Sequence, residues 1–349
     1  MIAKAARELG VVIPGLLGSP QIEQFPEAWQ DLSLAALETL LSRGRRTKVR
    51  GIGLERALFE LFNIAIAPGK DVPVAAVTRQ WEAQDAGGYW WLRADPVHLR
   101  ADRDRIIMLG NDALDISNEE CRDLASELNS HFTHEDWQLD ARNARRWYLR
   151  LDNDPRINTE MLCDVIGQDI LHYMPRGIAE QHWRSVMNEV QMILHSSRVN
   201  KEREMCGAPV INSLWFWGGG RLPCPVSVNW SQVWGNDALS QGLASIMKVG
   251  SSSMPSEASD WLENDIPGEH MLVIDGLREK IQFADIEGWH SFLHSLHEAW
   301  LEPLFIALKQ GHLTALNLYP ADGTMFRVTA GDARRWWVRR RSMPQWIKA

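Results

Sequence analysis

Apolar positions along the chain recur with two periods, one of about two residues and one of about three and a half, and the two alternate. Val11-Val12-Ile13 is a short β-rich run that stops at Pro14-Gly15, and Leu34 to Leu41 follows with helical spacing up to Gly44. Ala57, Leu58, Leu61 and Phe62 share one face of a second helix, closed by the turn Pro68-Gly69. Trp90 to Leu92, Ile106 to Leu109 and Trp147 to Leu151 read as strands. Ser117 and Glu120 have capping-box spacing at the head of a helix over 119–132. An amphipathic segment over 178–197, carrying Trp183, Val186, Val190, Ile193 and Leu194, is expected to return the chain to its first domain.

The run 211–217 has the pattern of a buried strand feeding a loop at Gly218-Gly219-Gly220. Residues 271–274, 313–319, 325–328 and 336–338 read as strands, with one helix over 286–309 between the first two. Strands and helices alternate in both terminal thirds. The expectation is an α/β core sheet flanked by helices, built from 1–85 and 199–349 and interrupted by an inserted mixed α+β domain over 86–198.

Charge and cysteine usage narrow the function classes. Thirty-seven Lys and Arg stand against 45 Asp and Glu, a net charge of −8, which disfavours a duplex-binding protein dependent on a cationic surplus. Four cysteines form no Cys-x-x-Cys pair, the pattern of reduced thiols in a cytoplasmic protein. The apolar run 11–17 is interrupted by Pro14 and preceded by Lys4, Arg7 and Glu8, so neither a signal peptide nor a membrane span is read there. Tryptophan is abundant, 17 against 4 Tyr and 9 Phe, which suggests large packing surfaces with a few rings free for a groove or a partner.

Three clusters could carry chemistry. His290, His294 and His297 lie at i, i+4 and i+7 on the expected helix, a spacing that offers imidazoles to zinc or manganese or else marks a polar helix boundary. Gly218-Gly219-Gly220-Arg221 could present backbone N–H groups and a guanidinium to a phosphate or carboxylate, or make a tight turn. At the C-terminus Arg334, Arg335, Arg339, Arg340, Arg341 and Lys348 against Asp332 give a local +5, interleaved with Trp336 and Trp337, and leave −13 for the rest. That tail could meet an acidic partner, a lipid surface or RNA, or protect an edge strand.

Val199-Asn200-Lys201-Glu202-Arg203, Gly207, Pro209, Asn212 and Leu214-Trp215-Phe216-Trp217-Gly218-Gly219-Gly220 together resemble the archaeal-type cofactor-independent phosphoglycerate mutases of the alkaline-phosphatase-like superfamily. Arg93-Ala94-Asp95 and Trp300-Leu301-Glu302-Pro303-Leu304 extend the resemblance. It implies phosphoryl transfer through a phosphoserine, with two divalent metals held by Asp and His. Asn200, Lys201 and Arg203 would then lie near the cleft as further anion-binding candidates, with a solvated helix end as the alternative.

The residues that do the chemistry in that family depart. Ile13-Pro14-Gly15 stands where the family's first metal-ligating Asp is expected, and Gly53-Leu54-Glu55 where the nucleophilic Ser is expected. Asp275-Gly276-Leu277-Arg278-Glu279 lacks the His of the late metal motif, and Asp322-Gly323 replaces the terminal Asp-His. No catalytic residue is assigned. The resemblance therefore implies a degenerate, non-catalytic homologue, in line with similar bacterial proteins catalogued as regulatory, which binds a protein partner or a phosphorylated or carboxylate ligand and needs no cofactor. The alternatives are a metal-dependent mutase or phosphatase with a rearranged Mn or Zn site, and a weak nucleic-acid or acidic-partner binder acting through the tail.

Overall fold

The computed structural model describes residues 7–18, 32–110, 113–133, 137–283 and 285–347. The chain begins with β1 (Arg7–Val12), α1 (Ala35–Arg43), β2 (Arg45–Ile52), α2 (Leu54–Leu61) and α3 (Val74–Ala83). Then come β3 (Trp90–Asp102), β4 (Arg105–Leu109), α4 (Asn118–His131), β5 (Trp137–Asn143), β6 (Arg146–Leu151), β7 (Ile157–Asn158) and β8 (Arg176–Gly177). Helices α5 (Glu180–Ser196) and α6 (Arg198–Met205) precede β9 (Ser213–Gly220), β10 (Trp230–Trp234), α7 (Ala238–Ile246), β11 (Gly250–Ser252) and β12 (Gly268–Val273). The last part holds α8 (Gly276–Gln282), α9 (Ile286–Leu296), α10 (Glu302–Gln310), β13 (Ala315–Tyr319) and β14 (Asp322–Thr329). Among the described residues no helix is long and apolar enough to cross a membrane.

Two compact units result, one of residues 1–65 and 225–349 and one of residues 66–224. The first is a seven-stranded sheet in the order β11-β10-β12-β1-β13-β14-β2. Its first five strands are parallel, with Gly10 of β1 opposite Met271 on one side and Asn317 on the other. β14 and β2 are antiparallel additions. Central parallel strands are covered on both faces and so read as continuous apolar runs; Leu9, Val11, Met271, Leu272, Leu316 and Leu318 are all fully buried. Strand β2 reads RRTKVRGI and has almost no buried side chain, so no apolar pattern announces it.

The second unit is built on β3, whose first half lies between β6 and β9 and whose second half pairs with β4. β5 completes the sheet beyond β6. The α4 capping box forms as expected, Glu120 N–H donating to Ser117 Oγ at 3.2 Å and Ser117 N–H to Glu120 Oε2 at 2.7 Å.

The compact unit of residues 66–224 extends on both sides of 86–198: α3 packs on β9 and β3, and the chain after α5 turns back to add β9 beside β3. The expected helix over 286–309 is interrupted by a π turn at His297–Leu301. Pro303 follows directly, and its missing N–H removes the bond that the Ala299 carbonyl would receive. Residues 336–338 form a turn, held by Val338 N–H on the Arg335 carbonyl at 3.2 Å.

Candidate functional site

In an open parallel sheet the loops beyond the carboxyl ends of the strands form the place where ligands bind. Here those loops are Ile13-Pro14-Gly15 after β1, Gly235-Asn236-Asp237 after β10, Ile274-Asp275 after β12 and Pro320-Ala321 after β13. The end of β2 joins them, Ile52 pairing with Asp322 and Gly53 N–H donating to the Ala321 carbonyl at 2.8 Å.

Much of this edge is filled. Gly15 sits at φ +83, and a Cβ there would overlap the Ile281 side chain of α8; the indole N–H of Trp289 donates to the Gly15 carbonyl at 3.3 Å. Ile13 and Leu16 are fully buried around that turn. At the head of α2, Leu54 is buried and Glu55 accepts from Arg278 of α8 at 2.5 Å, with the Glu55 side chain 5% and the Arg278 side chain 28% exposed. The second Glu55 oxygen, Oε2, is buried without a hydrogen-bond partner. Asp322 Oδ1 is taken by Thr324, N–H at 2.9 Å and hydroxyl at 2.6 Å. Asp237 caps α7 through Ser240 N–H at 2.8 Å, and burial, reinforced by neighbouring Asp275, raises its pKa.

The sequence-selected clusters are held by the protein's own groups. Asn200 donates to the Leu194 and Ile211 carbonyls, both at 2.7 Å, and accepts from Ile211 N–H at 2.8 Å. The Arg203 guanidinium, also buried, bonds the Pro209 carbonyl at 2.7 Å, Glu120 at 2.7 Å and the Leu114 carbonyl. Lys201 is exposed. Gly218, Gly219 and Gly220 lie inside β9 and not in a loop, because a Cβ at any of them would crowd Val74, Leu92 or Pro73. Gly219 N–H does face a carboxylate, but it is Asp71 of this chain, at 3.4 Å, which also takes Thr159 N–H at 2.8 Å. Arg221 donates to the Asp152 carbonyl at 3.0 Å.

The histidines do not converge as a ligand set. His290 and His294 lie close, with ring centroids 4.9 Å apart, but His297 is buried and its Nε2 accepts the Ala36 N–H in the first turn of α1 at 3.1 Å. Burial holds the His297 pKa below its ordinary value, and the positive end of α1 suits a neutral acceptor. In the tail, Arg334 bonds the Lys309 carbonyl at 2.7 Å, Arg335 pairs with Asp332 at 2.9 Å and Arg340 with Glu38 at 3.2 Å. Trp336 and Trp337 are 81% and 67% exposed.

No protein-family model matches the chain. Among curated proteins it is 26% identical over 133 residues to a Geobacter sulfurreducens protein described as a "probable 2,3-bisphosphoglycerate-independent phosphoglycerate mutase", a stretch covering 38% of this chain and 33% of that protein. It is 32% identical over 68 residues to the 2,3-bisphosphoglycerate-independent phosphoglycerate mutase 2 of Methanothermobacter thermautotrophicus, covering 19% of this chain and 17% of that one. The chain is phosphoglycerate-mutase-like. A solved protein structure from Pyrococcus horikoshii shares the fold, with a TM-score of 0.50, 13% identity and coverage of 93% of this chain and 87% of that one. The cofactor-independent phosphoglycerate mutase of Thermoplasma acidophilum aligns over 94% of this chain and 90% of its own with a TM-score of 0.44 and 14% identity.

Where the resemblance expects a first metal ligand stands Pro14, in an apolar turn, and where it expects the nucleophile stands buried Leu54. Glu55 and Arg278 join the head of α2 to α8 through an ion pair that spans 223 residues of sequence. A two-metal centre needs several carboxylate or imidazole donors converging on each ion. Among the described residues no three His, Cys, Asp or Glu side chains come together in this way. The donor set of the described residues therefore does not fit a metal pair of that kind. Pairing between residues 55 and 278 was not legible in sequence, since neither position stands out by local pattern.

Proposed function

We propose that this chain is a non-catalytic phosphoglycerate-mutase-like protein of the cytoplasm with a regulatory or partner-binding role. The observation that carries the reading is the Glu55–Arg278 pair beside buried Leu54, where the resemblance expects a nucleophile and metal ligands. A leucine side chain offers no lone pair for attack, and a guanidinium held by a buried carboxylate can neither accept a proton nor ligate a metal. All four cysteines are free thiols, consistent with a reducing compartment.

The test is elemental analysis of tag-free protein, with phosphoglycerate mutase and general phosphatase assays run on the same sample in added Mn, Zn and Mg. No stoichiometric metal, no turnover and a melting temperature unchanged by any of the ions are expected, because an ion that binds the folded state must stabilise it by mass action. Stoichiometric metal together with turnover would overturn the proposal.

A further inference from the structure

The tertiary structure joins the basic C-terminal segment to a second basic element that lies nearly 300 residues earlier. Arg341 N–H donates to Ser42 Oγ at 2.9 Å and the Arg43 guanidinium to the Ala333 carbonyl at 2.6 Å, so the tail runs along the end of α1 and the start of β2. Between them lies an open groove of about 920 Å³. Its walls are Arg46, Arg339, Arg340 and Arg341, and its apolar floor includes Leu41 and Trp346.

β2 is the last strand of the seven-stranded sheet, and its other basic residues, Arg45, Lys48 and Arg50, extend the same charge along the sheet edge. Among the described residues Arg45, Arg46, Lys48, Arg50 and Arg339 make no ion pair, and Arg340 alone is neutralised, by Glu38. At the far end of β2 stand Glu60, which accepts Arg50 N–H at 3.2 Å and Gly51 N–H at 2.5 Å, and Asp322, opposite Ile52.

Aromatic surface accompanies the charge. Arg46 lies over the Phe326 ring at 5.8 Å and Arg341 over Trp346 at 5.6 Å, with Phe326 and Trp346 themselves edge to face at 5.6 Å. The Trp346 indole N–H is buried with no acceptor. Just before Arg339 in the chain, Trp336 and Trp337 stand out of the protein with ring centroids 6.1 Å apart, two apolar rings that folding leaves unburied.

We infer that this groove and the adjoining β2 edge bind single-stranded nucleic acid. A line of unpaired cations beside exposed indoles is what a single strand requires, phosphates on the guanidiniums and bases on the rings, without any need for base-specific contacts. Because the rest of the chain is acidic, the net charge of −8 disfavours a broad duplex footprint but leaves this one stripe attractive. An acidic peptide would use the same arginines, but it would have no need of two adjacent ring faces clear of the groove. The inference is independent of the proposal on phosphotransfer, since no residue of the groove lies among those that replace the mutase motifs.

The experiment is fluorescence anisotropy with a labelled 15-nucleotide oligouridylate, a labelled 15-residue poly-glutamate peptide and the full chain, in 50 and 250 mM salt. The oligonucleotide is expected to bind at 50 mM salt and to weaken at least tenfold at 250 mM. The double variant W336A/W337A should weaken it at least tenfold again through lost stacking, and R339A/R341A should both weaken binding and flatten the salt dependence. These side chains are exposed, and circular dichroism with a thermal melt checks that each variant folds as the parent does. Absence of oligonucleotide binding at 50 mM salt would overturn the inference. So would binding indifferent to the tryptophans, or poly-glutamate binding as tightly as the oligonucleotide, which would assign the groove to an acidic peptide.

Discussion

His270 offers the sharpest quantitative prediction. It sits on β12 in the middle of the seven-stranded sheet, fully buried, with Trp261 edge-on at 5.5 Å and the Trp234 indole N–H 3.4 Å from its Nδ1. Its Nε2 is buried, and backbone hydrogen bonds at Ile266 and Pro267, which favour the charged ring, are outweighed. Burial, with the Arg7 charge adding to it, lowers its pKa from 6.5 to about 4. The unfolded chain therefore takes up a proton near pH 6.5 that the folded chain refuses until about pH 4. Stability from this site is complete above pH 6.5, falls as the pH drops towards 4, and changes no further below that. The difference in proton affinity, roughly 300-fold, corresponds to about 3 kcal/mol over the whole window and about 2 kcal/mol by pH 5. The perturbation is acidification of the parent beside His270→Leu, which keeps an apolar side chain of similar size and cannot titrate. Urea unfolding between pH 8 and pH 4 should show the parent losing about 2 kcal/mol more than the variant between pH 7 and pH 5. Parallel pH profiles for the two proteins, or an imidazole resonance of His270 titrating near pH 6.5, would refute the reasoning.

Asn200→Ala should destabilise the protein by about 3 kcal/mol in urea unfolding, because the Leu194 and Ile211 carbonyls and the Ile211 N–H are buried and lose their partner together. A loss below about 1 kcal/mol would return Asn200 to the pool of free ligand-binding groups. For the ion pair, Arg278→Met alone leaves Glu55 buried and uncompensated and should cost about 3 kcal/mol, while the double variant E55L/R278M should recover most of that loss. Equal destabilisation by the single and double variants, read from thermal melts above pH 6, would show that Glu55 is not held by Arg278.

Local pattern reached the elements whose apolar periodicity survives folding unchanged. The buried runs of β1, β12 and β13 and the capping box of α4 are of this kind, because burial on both faces or a cap three residues away leaves a signature within a short window. Strand β2 was illegible: an edge strand with exposed Arg and Lys has no apolar face to report. The π turn that begins at His297 ends the regular helix on which the three histidines lie, and a proline six residues further along was its sign.

For the site, residue type fixes what a side chain can do in any conformation: those of Pro14 and Leu54 carry neither a donor atom for a metal nor a nucleophile. Tertiary structure alone decided where the remaining polar groups spend their hydrogen bonds. Arg203 on Glu120, the Gly219 N–H on Asp71, His297 on α1 and Glu55 on Arg278 all look available in a linear chain. Each is committed once folding brings a complementary group from a distant segment and removes the water that would otherwise compete for it. The converse holds at the C-terminal groove, where folding set two basic segments side by side and supplied few acids to neutralise them.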